Sequence, residues 1–212
     1  MIPRKPYARM EVALPAPGEA AVRIDATTPG SGRGLAADRL DLTLGLMAWT
    51  VHGMHEDHGP AFGEAIRRLA AEIADSPDGT VAAGSVRASV RGGRSVDVQF
   101  TEWPRGRGGT RVRIDLVRSA VGPVTVLRDK GASPQVLGLV ALVAAAWACS
   151  EEDAHGRLAL ALAMEGLLVW YREAHHMTPP RQAVEAARIH AVDRLHEAGR
   201  AVPPALAGTP GA

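Results

Sequence analysis

The sequence predicts an α+β fold, with an antiparallel β-meander packed by helices and followed by a C-terminal helical hairpin or three-helix bundle. Three observations predict it. Residues 86–116 alternate apolar and polar side chains, with turn residues between the runs. From Ser133 onward the period becomes helical, and the helix starts carry capping residues or proline. The composition, 46% hydrophobic and 22% charged over 212 residues, suits a packed core with a solvated surface. It excludes a disordered, collagen-like or disulfide-rich chain. The organisation expected is an α+β domain over 1–130, a helical bundle over 131–199 and a disordered tail over 200–212, which is rich in proline, glycine and alanine.

The elements follow in order. Residues 10–14 and 21–25 alternate around the turn material of 15–19, which predicts two short strands. Residues 28–34 read as a glycine-rich loop. The stretch 35–54 fits two periods at once. Leu40, Leu42, Leu44 and Leu46 alternate as in a strand, whereas Leu40, Leu44, Met47 and Val51 share a helical face. Its length favours a helix, and Gly59-Pro60 is expected to end it. Residues 64–75 are amphipathic, with Ile66, Leu69, Ala70 and Ile73 facing inward.

Val86, Ala88 and Val90, then Val96, Val98 and Phe100, then Val112, Ile114 and Leu116 form the apolar edge of three strands expected to pair in sequence. Residues 121–127 are a possible fourth strand. Helices are expected near 134–149, 151–176 and 179–198. Their signals are Ser133-Pro134, a capping box from Ser150 to Asp153, Thr178-Pro179, and Gly199 as a stop. The first two are apolar nearly all round, and such helices need cover on every side. The last helix and the sheet supply part of that cover, and a second copy of the chain is expected to supply the rest, giving a homo-oligomer.

Charge and cysteine content narrow the function. The formal net charge is +1, so no global field selects an anionic partner. Of the 24 basic residues only Lys5 and Lys130 are lysine. Arginine and alanine richness of this kind fits codon bias, which weakens any argument from arginine alone. The single cysteine, Cys149, excludes an intrachain disulfide and suits a cytoplasmic protein. The apolar run 136–149 is shorter than the ~20 residues that span a bilayer, so no membrane is expected.

Two constellations carry chemistry. Val51-His52-Gly53-Met54-His55-Glu56-Asp57-His58 sets three imidazoles and two carboxylates in one short stretch. On a helix, His52, His55 and His58 share a broad face and could hold a divalent transition metal such as zinc, with Glu56 or Asp57 as base. The run is one residue short of the His-Glu-x-x-His zincin pattern. Solvated side chains at a helix end are the commoner use of such a run. The second constellation is an arginine-rich face made by Arg87, Arg91, Arg111 and Arg113, with Trp103, Arg105 and Arg107 in the hairpin loop. The guanidinium fork suits an anionic partner, either an acidic protein or nucleic acid. Glu165, inside an apolar helix, is a candidate buried acid, and structural pairing is its commoner role.

The function expected is a non-catalytic, cytoplasmic interaction or regulatory protein. It self-associates through its C-terminal helices and binds an anionic partner on the arginine-lined sheet, with no cofactor. The alternative is a metal-dependent hydrolase built on His52, His55 and His58.

Overall fold

A computed structural model describes residues 5–13, 21–27, 35–53, 59–77, 79, 81, 86–90, 95–98, 111–119, 122–128, 132–172 and 179–207. The strands are β1 (Ala8–Ala13), β2 (Ala21–Thr27), β3 (Val86–Val90), β4 (Ser95–Val98), β5 (Arg111–Ser119) and β6 (Gly122–Leu127). The helices are α1 (Leu35–Gly53), α2 (Gly59–Asp75), α3 (Pro134–Glu151), α4 (Ala154–Arg172) and α5 (Pro180–Glu197). The class is α+β, as the alternation and the helical period predict.

The six strands form one sheet in the order β4-β3-β2-β1-β5-β6. All neighbours are antiparallel except β2 and β3, which α1 and α2 connect in parallel. This order corrects the expected meander. The β3–β4 and β5–β6 hairpins form as short antiparallel pairs. β5, however, does not pair with β4. It pairs with β1, placing Val12 opposite Val112 and Met10 opposite Ile114. Alternation sets which face each strand buries but says nothing about its neighbour, and β1 offers the same apolar edge as a hairpin partner would.

Met10, Val12, Ile24, Val112, Ile114 and Leu116 are buried on one face of the sheet. α1 and α3 pack together on that face, α1 against β1, β5 and β6 and α3 against β3 and β4. α2, α4 and α5 form a third layer beyond them, with α4 packed on both α2 and α5. α1 and α3 are therefore enclosed on both sides. That position explains why the leucines of α1 satisfy two periods: Leu40, Leu42, Leu44 and Leu46 are all buried. It also explains α3, in which every residue from Val136 to Cys149 is buried within a single chain.

The apolar character of α1 and α3 therefore does not by itself call for a second copy. The sheet and the outer helices supply the cover, and the only large hydrophobic side chains exposed among the described residues are Val169 and Ile189. One core cluster runs through strands and helices on both sides of residue 130. The C-terminal hairpin is the α4–α5 pair, and α3 belongs with α1.

The helix boundaries have clear local causes. Pro60 stands in the first turn of α2 instead of ending α1, since the first helical position tolerates a missing N–H. Ser133 caps α3, its Oγ accepting from Val136 N at 3.3 Å. Ser150 does not cap the next helix, because it lies inside α3 and donates to Trp147 O at 2.7 Å. Asp153 takes the capping role for α4 and accepts from Gly156 N at 2.8 Å. Thr178 lies outside the described residues.

Two close approaches fix the layers. Gly45 of α1 lies against Thr125 of β6, and Gly166 of α4 against Ala187 and His190 of α5. Two hydroxyls inside the helical layers bond to main-chain carbonyls: Thr50 Oγ1 donates to Leu46 O at 2.8 Å, and Tyr171 Oη to Ala48 O at 3.0 Å. Cys149 is a buried core thiol.

Candidate anion-binding face of the sheet

Alternation along β1 and β5 leaves Arg9, Glu11, Arg111, Arg113 and Asp115 on the face away from α1. Among the described residues no helix packs there. The β1–β5 register brings these side chains together, with Arg9 opposite Asp115, Glu11 opposite Arg113 and Ala13 opposite Arg111.

Asp115 is the centre of the arrangement. Its side chain is 1% exposed, and it accepts from Arg9 Nε and Arg128 Nε at 2.7 Å each, one on each carboxylate oxygen. Burial pushes the Asp115 carboxyl up, but the hydrogen bonds and charges of the two arginines outweigh it and hold the group below its ordinary value. Arg9 is correspondingly raised, chiefly by its hydrogen bond to Asp115. Arg111 is exposed and donates to Glu11 at 3.4 Å. At the end of the strand the Arg118 guanidinium lies 5.4 Å from the Tyr7 ring centroid.

The face thus carries Arg9, Arg111, Arg113 and Arg128 against Glu11 and Asp115. Arginine is in excess, but carboxylates interrupt it. Both resolved shifts move away from neutrality, so neither Arg9 nor Asp115 is tuned to exchange protons near pH 7. The chemistry available is directional charge recognition.

Of the residues expected on this face, Arg111 and Arg113 are brought together. Arg87 lies on β3, in register with Ala21 and Asp97. Two strands separate β3 from β5, so Arg87 is at least about 14 Å from that pair at ~4.8 Å per strand spacing. Arg91, Trp103, Arg105 and Arg107 lie outside the described residues. Arg9, Glu11 and Arg128 were not anticipated; the alternation of residues 8–13 was the signal available for the first two.

His52 is exposed at the end of α1, edge-on to Trp49 with ring centroids 6.4 Å apart. His55, Glu56, Asp57 and His58 lie outside the described residues. Among the described residues no group of three or more histidine, cysteine, aspartate or glutamate side chains is placed to hold a metal ion. Glu165 is not buried. It lies on the exposed side of α4 with Val169 and Arg172, because α4 belongs to the outer layer.

No family model matches the chain, and no similar curated protein or solved structure was found. Among the described residues no helix is long and apolar enough to cross a membrane.

Proposed function

We propose that this protein is a non-catalytic binding protein whose open sheet face docks on an acidic surface of a partner protein. The observation that supports it is the β1–β5 face, where arginines outnumber carboxylates on a sheet that the described helices cover on the other side only. The interleaved Glu11 and Asp115 favour a partner of mixed but acidic character over the uniform phosphate charge of nucleic acid, since like charges in register repel. The single buried thiol suits a reducing compartment, and the protein is read as cytoplasmic.

Anisotropy titration of labelled poly-L-glutamate and of a single-stranded RNA, each over a salt series, tests this reading. Poly-L-glutamate is expected to bind at low salt and to weaken as salt rises. The double variant Arg111→Glu/Arg113→Glu is expected to abolish the binding while keeping the fold by circular dichroism. Absence of binding at low salt, or an unaffected double variant, refutes it. Tighter binding of RNA would replace the acidic protein with nucleic acid as partner. Stoichiometric zinc in protein purified without added metal, lost in His55→Ala, would instead support the hydrolase reading.

A further inference from the structure

Residues 201–207 do not extend freely from α5. Gly199, at a φ of +64°, ends the helix and turns the chain back, its N–H donating to His196 O at 2.9 Å and that of Arg200 to Leu195 O at 2.8 Å. Beyond this turn Pro203 and Leu206 are buried, whereas Ala201, Pro204 and Ala207 are exposed. Leu206 joins the main core cluster, with Val202 and Ala205 packed against it. The amides of Leu206 and Ala207 both donate to Pro203 O, at 2.9 and 3.1 Å, and so close a single turn around the proline carbonyl.

Arg188 of α5 holds the backbone of this segment. Its Nη2 donates to the carbonyls of Ala205 and Leu206, each at 3.1 Å. Its Nη1 donates to Asp41 Oδ1 of α1 at 2.5 Å. The pair is well buried, with side chains 13% and 5% exposed. Asp41 thus orients the guanidinium and compensates its charge, and Nη2 is aimed at main-chain carbonyls. The segment Ala-Val-Pro-Pro-Ala-Leu-Ala has no side chain that hydrogen-bonds. It is held by two apolar anchors three residues apart and by its own backbone. This mode of recognition would accept another chain of the same pattern.

We propose that the Arg188–Asp41 seat beside α1 and α5 is a peptide-docking site. In this structure the chain's own residues 201–207 occupy it, and it takes from a partner protein a segment with apolar anchors at Pro-x-x-Leu spacing. The tethered segment holds the seat at high effective concentration, because only the exposed residues 198–201 separate it from α5. Binding in trans is therefore masked in the intact chain and uncovered when the anchor is lost.

The test uses the full chain and a fluorescein-labelled peptide of residues 201–207. The Leu206→Asp chain is expected to bind this peptide at least about tenfold more tightly than the wild-type chain. A peptide carrying aspartate in place of the leucine is expected not to bind. Equal binding by the two chains, or none by a folded Leu206→Asp chain, overturns the proposal. Should that variant fail to fold, hydrogen exchange on the wild-type chain decides. The Leu206 and Ala207 amides are then expected to exchange at least about tenfold faster than those of Ala187 and Ala191, through an opening that leaves α5 intact. Exchange of all four at one rate shows a segment that leaves only when the whole fold unfolds, and it overturns the proposal too.

Discussion

Gly45→Ala should unseat α1 from the sheet. A Cβ at this position would run into Thr125 Cγ2 and stand 2.6 Å from Thr125 Cβ and Oγ1. Carbon atoms in good contact sit ~3.5–4.0 Å apart, so the overlap is deep. Rotating the Thr125 side chain cannot relieve it, because Thr125 Cβ is fixed to β6. The Thr125 carbonyl also accepts from Trp49 Nε1 of α1 at 3.2 Å, a bond that ties helix to strand at the same place. Either α1 withdraws or β6 bends. Overpacking of this kind costs about 1–3 kcal/mol, and an overlap this large falls at the upper end. Alanine's better helix propensity offsets about 1 kcal/mol of it. The expected net loss is about 2 kcal/mol, or about 4–8 °C in Tm for a chain of this size.

Gly53→Ala is the matched control, since it lies in the same helix with nothing within 4 Å of the added Cβ. It should be neutral or stabilising by a few tenths of a kcal/mol, as expected for a helix end. Urea denaturation followed by circular dichroism, with the slopes compared to verify a common unfolded state, measures both. Thr125→Ala added to Gly45→Ala should recover only part of the loss, because the Cβ contact at 2.6 Å survives. Equal stability of the Gly45→Ala and Gly53→Ala chains would refute the close approach of α1 to β6.

Three further outcomes are expected. Asp41→Ala leaves the Arg188 guanidinium buried without its carboxylate and should cost about 3–5 kcal/mol in chemical denaturation, whereas Asp41→Leu/Arg188→Met should recover most of that. Ser133→Ala removes the acceptor for Val136 N and should cost about 1 kcal/mol, read as a lower urea midpoint at unchanged slope. Asp115 has a folded pKa below its ordinary 3.8, so its contribution to stability is complete above about pH 4 and is lost as pH falls through the folded value. Thermal midpoints should therefore decline in acid, and Arg128→Gln should make that decline shallower by bringing the folded pKa back toward the unfolded one.

Local features of the fold were legible where one residue decides one outcome. Ser133 before Pro134 marked the start of α3, and Ile66, Leu69, Ala70 and Ile73 marked the buried side of α2. Neighbour relations were not legible. β5 lies on β1 instead of β4, and the alternation of residues 111–116 would look the same in either position. The outer face suffered from the same gap. Arg111 meets Glu11 from 100 positions away, and Arg188 meets Asp41 from 147. No local spacing encodes such pairs. Glu165 lies in an apolar stretch yet is exposed, because α4 has one open side that its mean apolarity does not reveal. Residues 201–207 misled in the opposite direction, because two anchors suffice to seat a segment whose composition reads as a tail.

A helix with no polar side has two ways to be covered: a second chain, or a middle position between two layers of its own. Apolar content alone cannot choose between them; the remaining elements can. The sheet offers one apolar face. α2 and α5 each present a polar stripe and a buried one, and α4 buries Ala159, Ala163 and Leu167 while exposing Glu165 and Arg172. Those faces match the two-sided demand of α1 and α3 and, among the described residues, leave only Val169 and Ile189 as exposed large hydrophobic side chains. The described residues present two broad surfaces, the outer sides of the helices and the side of the sheet away from α1. Along β1, β5 and the end of β6 the second carries Arg9, Arg111, Arg113 and Arg128 with Glu11 and Asp115, so the binding proposed for it would depend on charge register and should weaken as salt rises.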